Sequence, residues 1–202
     1  MVKILVLVSG GGTNLQALID AEKKGILGNG KLALVISDRN GTYAIERAKA
    51  AGIDTAVLLP DKNLPKPERR QKLSDAILQL CDEKKIDLIV HAGFLSILSG
   101  DIIEAYSGRM INLHPALLPK FGGQNMYGEN VHKAVLASGD TESGCTVHLV
   151  ESGIDTGKII LQRKVPVLPD YTPKTLAERI YIEEHIAIVE AARLMIDTVE
   201  KR

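Results

Sequence analysis

Cysteine is scarce in this chain: only Cys81 and Cys145 occur among 202 residues. They lie far apart and in no metal-type or redox pairing, so a disulfide framework and a thiolate metal site are both excluded. Net charge is absent too, since Lys plus Arg and Asp plus Glu each total 25. Composition therefore implies no basic face, and a tRNA or DNA partner is disfavoured. No apolar run is long enough for a membrane span. The opening apolar stretch, Ile4 to Val8, is ended by glycines and reads as a buried strand, not as the core of a signal peptide. Repeats and low-complexity segments are missing as well. A reduced, cytoplasmic, membrane-free enzyme of one domain over 1–202 is the expectation, because this length supports one sizeable core.

What the chain does contain is an alternation of apolar runs and helical patterns. Runs at 3–9, 32–37, 55–59, 87–92 and 110–113 predict strands, and 13–24, 42–51, 67–84 and 99–106 predict the helices between them. Strands alternating with helices imply a doubly wound, mostly parallel α/β sheet, since parallel neighbours need crossover connections. After residue 114 the rhythm changes. A glycine-rich loop leads to a helix at 129–138, and strands at 144–151 and 158–166 flank the short turn 153–157, which predicts an antiparallel hairpin. Residues 173–199 form an amphipathic C-terminal helix with Thr172 as N-cap and Pro173 at its first position. Residues 61–67, with two prolines and two lysines, are expected to be the most mobile loop.

The most informative run is 109–121, Arg-Met-Ile-Asn-Leu-His-Pro-Ala-Leu-Leu-Pro-Lys-Phe. A buried strand ends in Asn112 and His114, which alternation aims the same way. Pro115 stops the strand, so both side chains belong at the carboxyl edge of the sheet, where α/β proteins bind ligands. An amide able to donate to a developing oxyanion beside an imidazole able to move a proton is half of an acyl-transfer site. Asp155, in Glu-Ser-Gly-Ile-Asp-Thr-Gly, is available to orient such an imidazole, or to serve simply as a turn former.

Ser9-Gly10-Gly11-Gly12-Thr13-Asn14 lies where the first strand meets the first helix. Glycines there permit close backbone approach, and a helix amino end suits a phosphate; a tight turn that binds nothing is the competing reading. No Gly-Lys-Ser/Thr follows, so this is not a Walker loop, and Leu15 stands where a dinucleotide fingerprint needs its third glycine. Asp38, after the second strand, nonetheless holds a position that could read a ribose hydroxyl, which keeps a nicotinamide-dependent oxidoreductase as an alternative. No histidine pair has metal-ligand spacing, and no Ser or Cys sits in a nucleophile setting. His91 and His148 lie in apolar strands and read as core groups or as supports of the site.

Asn112-Leu113-His114-Pro115-Ala116-Leu117-Leu118-Pro119, taken with the glycine loop and the acidic turn, resembles the folate-dependent formyltransferases over nearly the whole chain. The resemblance implies a Rossmann-like fold and metal-free transfer of a formyl group from 10-formyltetrahydrofolate to a small-molecule amine. At 202 residues there is room for neither the extra carboxyl-terminal barrel of tRNA-formylating members nor the amino-terminal regulatory domain of deformylating ones. The expected acceptor is therefore glycinamide ribonucleotide, in de novo purine synthesis, with an amino sugar nucleotide as the alternative acceptor.

Carried over by motif, Asn112, His114 and Asp155 are catalytic, with protonated His114 and Asn112 meeting the oxyanion and Asp155 raising the proton affinity of His114. Gly12, Thr13 and Asn14 hold the substrate phosphate, and Glu184, next to Glu183, meets the ribose. Leu95, Ser96, Ile97 and Leu98 line the folate pocket together with Asn112. Arg70, or its neighbour Arg69, faces the folate tail. The stretch 121–132 departs from the family pattern and leaves the role of His132 open. A monomer and a homodimer are both compatible with the chain.

Overall fold

The computed structural model describes residues 1–201. Seven strands form one sheet: β1 (Val2–Val8), β2 (Gly30–Ser37), β3 (Asp54–Val57), β4 (Leu88–His91), β5 (Met110–His114), β6 (Glu142–Leu149) and β7 (Ile159–Pro166). Their spatial order is β3-β2-β1-β4-β5-β6-β7. The first five pair in parallel, and β5–β6 and β6–β7 are antiparallel. The helices are α1 (Thr13–Lys23), α2 (Tyr43–Ala50), α3 (Lys66–Lys84), α4 (Asp101–Ala105), α5 (Glu129–Ser138) and α6 (Pro173–Glu200).

Strand alternation explains why the sheet is covered twice. Along β1, Val2, Ile4, Val6 and Val8 enter a core with α1, α2 and α6, while Leu5 and Leu7 enter a second core with α3 and α4. Each fully buried aliphatic side chain of this kind contributes about 1.5–3 kcal/mol. The α6 stripe, Leu176, Ile180, Glu184, Ala187, Ile188 and Ala191, recurs every three or four residues and faces the first core. A capping box between Thr172 and Thr175, with Pro173 in the first turn, opens this helix. One member of its buried stripe, Glu184, is a carboxylate.

Two expectations change. The β6–β7 connection runs from Val150 to Lys158 and is no tight hairpin turn. Leu149 still pairs with Lys158 (2.9 Å), but Val150 donates back to the Met110 carbonyl (2.8 Å), and the chain between them leaves the ladder as a loop. The segment expected to be most mobile is tied down: the Arg69 guanidinium donates to the carbonyls of Asp61, Lys62 and Leu64 at 3.0–3.2 Å. Lys72 pairs with the Asp61 carboxylate (3.1 Å). Composition shows where a chain lacks regular structure, but not which guanidinium satisfies its carbonyls.

Candidate active site

The chain winds outward from β1 to β3, then returns to the other side of β1 with β4, which makes the β1–β4 boundary a topological switch point. The turns after these two strands are bonded to each other: Ser9 donates its N–H to the Gly93 carbonyl (3.1 Å), and Leu95 donates to Ser9 Oγ (2.8 Å). A cavity of about 610 Å³ opens here. It is lined by Gly10 to Asn14, His91 to Leu98, Asn112 to Pro115, Gly123 to Gly128, Val150 to Asp155, His132, His148, Tyr181 and Glu184. This size suits a substrate-sized ligand.

β5 delivers Asn112 and His114 to the same wall. In the antiparallel ladder Asn112 lies opposite His148, and His114 opposite Thr146. Thr146 secures the chain beyond His114, because its hydroxyl donates to the Ala116 carbonyl (2.6 Å) and accepts from the Leu118 N–H (3.0 Å). His114 is 4% exposed. Its Nε2 lies 2.8 Å from the Phe121 carbonyl, and its Nδ1 3.5 Å from Asp155 Oδ2. The first contact makes Nε2 a donor. The second is a charge contact rather than a tight hydrogen bond.

Asp155 sits in the left-handed region at φ 55° and accepts from the Gly123 N–H (3.0 Å). Its other oxygen is 3.5 Å from His148 Nε2, so one carboxylate faces two imidazoles. Burial pushes the Asp155 carboxyl up, but His148, the Gly123 N–H and His114 together outweigh it and hold the group below the usual carboxylate range. For His114 the balance runs the other way. Burial lowers its proton affinity, and the Asp155 charge and the Phe121 carbonyl only partly restore it. Asp155 thus acts on His114 in the expected direction, and desolvation of the imidazolium is the larger effect.

Around this pair lie three histidines to which the sequence assigned no catalytic role. His148, treated as core or support, reaches Asn112, with Nε2 and Nδ2 3.1 Å apart. His132 is buried beneath the site with Nδ1 unpartnered, and burial, followed by the His114 charge, depresses it. His91 is pushed down to about 3 by burial and the neighbouring His148. Strand parity across β5 and β6 was the signal that could have found His148; the Phe121 carbonyl left no trace in residue type.

α1 also begins at this cavity. Gly12, at φ 72°, is its N-cap, no side chain caps the helix and its first turn carries no acid, so free N–H groups face an unneutralised positive dipole end. Thr13 and Asn14 form that first turn. Asn14 Nδ2 donates to Glu184 Oε2 (3.0 Å), joining the glycine turn to α6, and burial raises the Glu184 carboxyl while Asn14 opposes the rise. Glu183 instead points outward into ion pairs with Arg163 and Arg179. A side chain at Gly12 would strike Ala44 Cβ at 2.6 Å, whereas Gly10 and Gly11 face open space. The tight approach at Gly12 is therefore to α2, not to a ligand.

Leu95, Ser96, Ile97 and Leu98 border the cavity after β4, and Arg70 reaches it from α3. Arg69 does not, being held by the carbonyls before α3. Asp38, the residue that kept a nicotinamide enzyme in view, is buried and accepts from Ser96 Oγ (2.6 Å), so one of its carboxylate oxygens braces the loop after β4. Among the described residues no cluster of His, Cys, Asp and Glu could hold a metal ion, and no helix is long and apolar enough to cross a membrane.

Comparison with known proteins agrees with this arrangement. The chain is 42% identical over 194 residues to the trifunctional purine biosynthetic protein adenosine-3 of Drosophila pseudoobscura pseudoobscura, covering 96% of this chain and 14% of that protein. It is 37% identical over 193 residues to the chloroplastic phosphoribosylglycinamide formyltransferase of Vigna unguiculata, covering 96% of this chain and 60% of that one. The chain thus spans less than two thirds of the length of these curated relatives. The crystal structure of glycinamide ribonucleotide transformylase 1 from Symbiobacterium toebii superimposes with a TM-score of 0.88 at 39% identity, covering 98% of this chain and 89% of that one. The formyl transferase family model matches residues 2–192, and with the sheet and the Asn-x-His strand end in place, the chain belongs to the formyl transferase family.

Proposed function

We infer that this chain, as a single domain over 1–202, transfers the formyl group of 10-formyltetrahydrofolate to the amine of glycinamide ribonucleotide, releasing tetrahydrofolate, as a step of purine synthesis. The observation that carries the reading is the meeting of Asn112, His114 and Asp155 in one cavity. An uncapped helix amino end and Arg70 both line that cavity. A phosphate suits the first, at Gly12, Thr13 and Asn14, and a folate carboxylate the second. The names of the relatives support the acceptor over an amino sugar nucleotide. The family match and the names of the relatives favour formyl transfer over the oxidoreductase alternative.

In the proposed reaction the amine nitrogen attacks the formyl carbon, and the carbonyl oxygen becomes an oxyanion. Asn112 supplies its second amide N–H, which no described protein group engages. The Nε2–H that holds the Phe121 carbonyl is the donor that a substrate oxygen takes over. With Nε2–H on that oxygen, the uncharged ring has Nδ1, on the Asp155 side, free to take up the amine proton. Asp155 then stabilises the imidazolium. The bond from carbon to the folate N10 breaks, and the proton ends on N10, which closes the balance without a metal or a covalent enzyme intermediate. Glu184 accepts from the acceptor's ribose, and Leu95, Ser96, Ile97 and Leu98 flank the pterin. The cytoplasmic setting belongs to the same reading, both cysteines being free and buried.

Purified protein, 10-formyltetrahydrofolate and glycinamide ribonucleotide, followed by absorbance as tetrahydrofolate forms, test this directly. Saturable turnover is expected. Turnover that appears only with a different amine would keep formyl transfer and reject the acceptor; no conversion with any amine rejects the reaction.

A further inference from the structure

The glycine turn after β1 is gripped from one side by α2. The Ala44 N–H, a donor of that helix's first turn with no partner inside the helix, reaches the Gly10 carbonyl (3.2 Å), and Arg47 Nε donates to the Gly11 carbonyl (2.9 Å). The second arm of the guanidinium, Nη1, donates to Gln16 Oε1 on α1 (3.0 Å). Its Cζ lies over the Tyr43 ring, 4.8 Å from the centroid. Arg47 is thus held at three points, half-buried, and no carboxylate is among these partners.

These contacts decide where the donors of the turn point. A trans peptide is planar, and its C=O and the following N–H point in opposite directions. The Gly10–Gly11 and Gly11–Gly12 units turn their carbonyls to α2, so the N–H groups of Gly11 and Gly12 point away from it, on the side of the cavity that both residues line. The Gly12 carbonyl accepts from the Gln16 N–H within α1 (2.9 Å), which directs the Thr13 N–H the other way as well. Three successive N–H groups then form a concave anion nest. Nothing in the glycines themselves enforces it. A Cβ at Gly10 or Gly11 would meet no atom within 4 Å, and glycine has no side chain to bias its dihedrals, so the orientation of both peptides is set from outside.

We propose that Arg47 is a positioning residue for the phosphate of the acceptor: by holding the Gly11 carbonyl on α2, it keeps the Gly12 N–H aimed at that phosphate. The assignment rests on the proposed function, which brings the phosphate to Gly12, Thr13 and Asn14. Arg47 acts through one peptide unit and need not touch the ligand. A flipped Gly11–Gly12 peptide would present a carbonyl oxygen where the phosphate oxygen belongs, replacing attraction with repulsion. A bond that merely tied α1 to α2 would need only the Gln16 arm, and gives no reason for the arm on Gly11.

Kinetics with each substrate varied in turn, thermal melting, and amide resonances of isotope-labelled protein titrated with inorganic phosphate test this. Arg47→Met removes both arms and should raise KM for glycinamide ribonucleotide by about ten- to hundred-fold, the worth of a hydrogen bond to a charged group, with kcat and KM for the formyl donor unchanged. Arg47→Lys keeps the charge but not the two-armed fork, so it should recover little of the loss. Phosphate should shift the Gly11 and Gly12 amide protons of the wild type, and the Gly12 shift should be largely lost in both variants. If melting shows that Arg47→Met does not fold, Arg47→Lys against wild type carries the same comparison. An unchanged KM in Arg47→Met, full recovery in Arg47→Lys, or equal losses for both substrates overturns the proposal. If phosphate shifts the Gly12 amide only when Arg47 is intact, yet no formyl reaches glycinamide ribonucleotide, the positioning role stands and the proposed reaction fails.

Discussion

Asn112 and His148 face each other across the β5–β6 ladder, with Nδ2 and Nε2 3.1 Å apart. His148 Nδ1 lies 2.8 Å from the Leu149 carbonyl, an acceptor only, so in the uncharged ring Nδ1 carries the hydrogen and Nε2 accepts from the Asn112 amide. The pair therefore decides which way the amide of Asn112 points. Asn112→Ala is expected to lower kcat by about 10²–10³, the usual worth of one oxyanion donor. His148→Phe should lower it less, and the double variant should fall short of the product of the two effects, since both act through one amide. Multiplicative losses would separate His148 from Asn112; an effect confined to KM would make Asn112 a binding residue.

His114→Ala should reduce turnover by about 10²–10⁴ with little change in substrate affinity, because proton transfer is then left to water. Steady-state kinetics with both substrates check this. Full activity would remove His114 from the chemistry.

Asp155→Asn keeps the size of the side chain and tolerates its left-handed backbone. The Asp155 charge is what raises the proton affinity of His114 against burial, so its removal should shift the histidine-linked limb of the pH–rate profile to lower pH and reduce turnover. Wild-type turnover with an unmoved limb would reduce Asp155 to a loop residue.

The glycine turn separates ligand from packing. Gly11 faces open space and Gly12 faces Ala44. Gly11→Val should raise KM for glycinamide ribonucleotide about ten-fold or more while folate binding is spared. Gly12→Val combines a positive φ with a clash against α2, so it should cost about 1–3 kcal/mol of stability. Thermal melting beside kinetics distinguishes the two; an intact KM in Gly11→Val would make the loop a simple turn.

His91 should contribute to acid sensitivity. Its folded pKa is depressed to about 3 from the ordinary histidine value of 6.5, so below pH 6.5 the unfolded chain binds a proton that the native state refuses. Stability should fall as pH drops from 6.5 toward 3, with no contribution above 6.5. His91→Gln should remove up to about 1.4 kcal/mol per pH unit of that slope. Urea midpoints measured from pH 7 to 4 read the difference, and an unchanged slope would show that His91 is not the group responsible.

The sequence by itself determined the parallel sheet, the antiparallel ending, the cap of α6 and the convergence of Asn112 and His114, because each follows from period, turn chemistry or strand parity over a few neighbouring residues. The reach of Asp155 toward His114 was legible only through resemblance to a family. Tertiary structure decided the rest. It made Glu184 rather than Glu183 the partner of Asn14, left Arg70 free while Arg69 was bound, and set Gly12 against Ala44. It also turned Asp38 inward to Ser96 and placed the Phe121 carbonyl on His114. The pairings of Asn14 with Glu184 and Asp38 with Ser96 join residues 170 and 58 positions apart, and local pattern carries no information about such distances. Burial, which lowers the proton affinity of His114 despite its carboxylate neighbour, is likewise a property of the packed interior and not of any single stretch of chain.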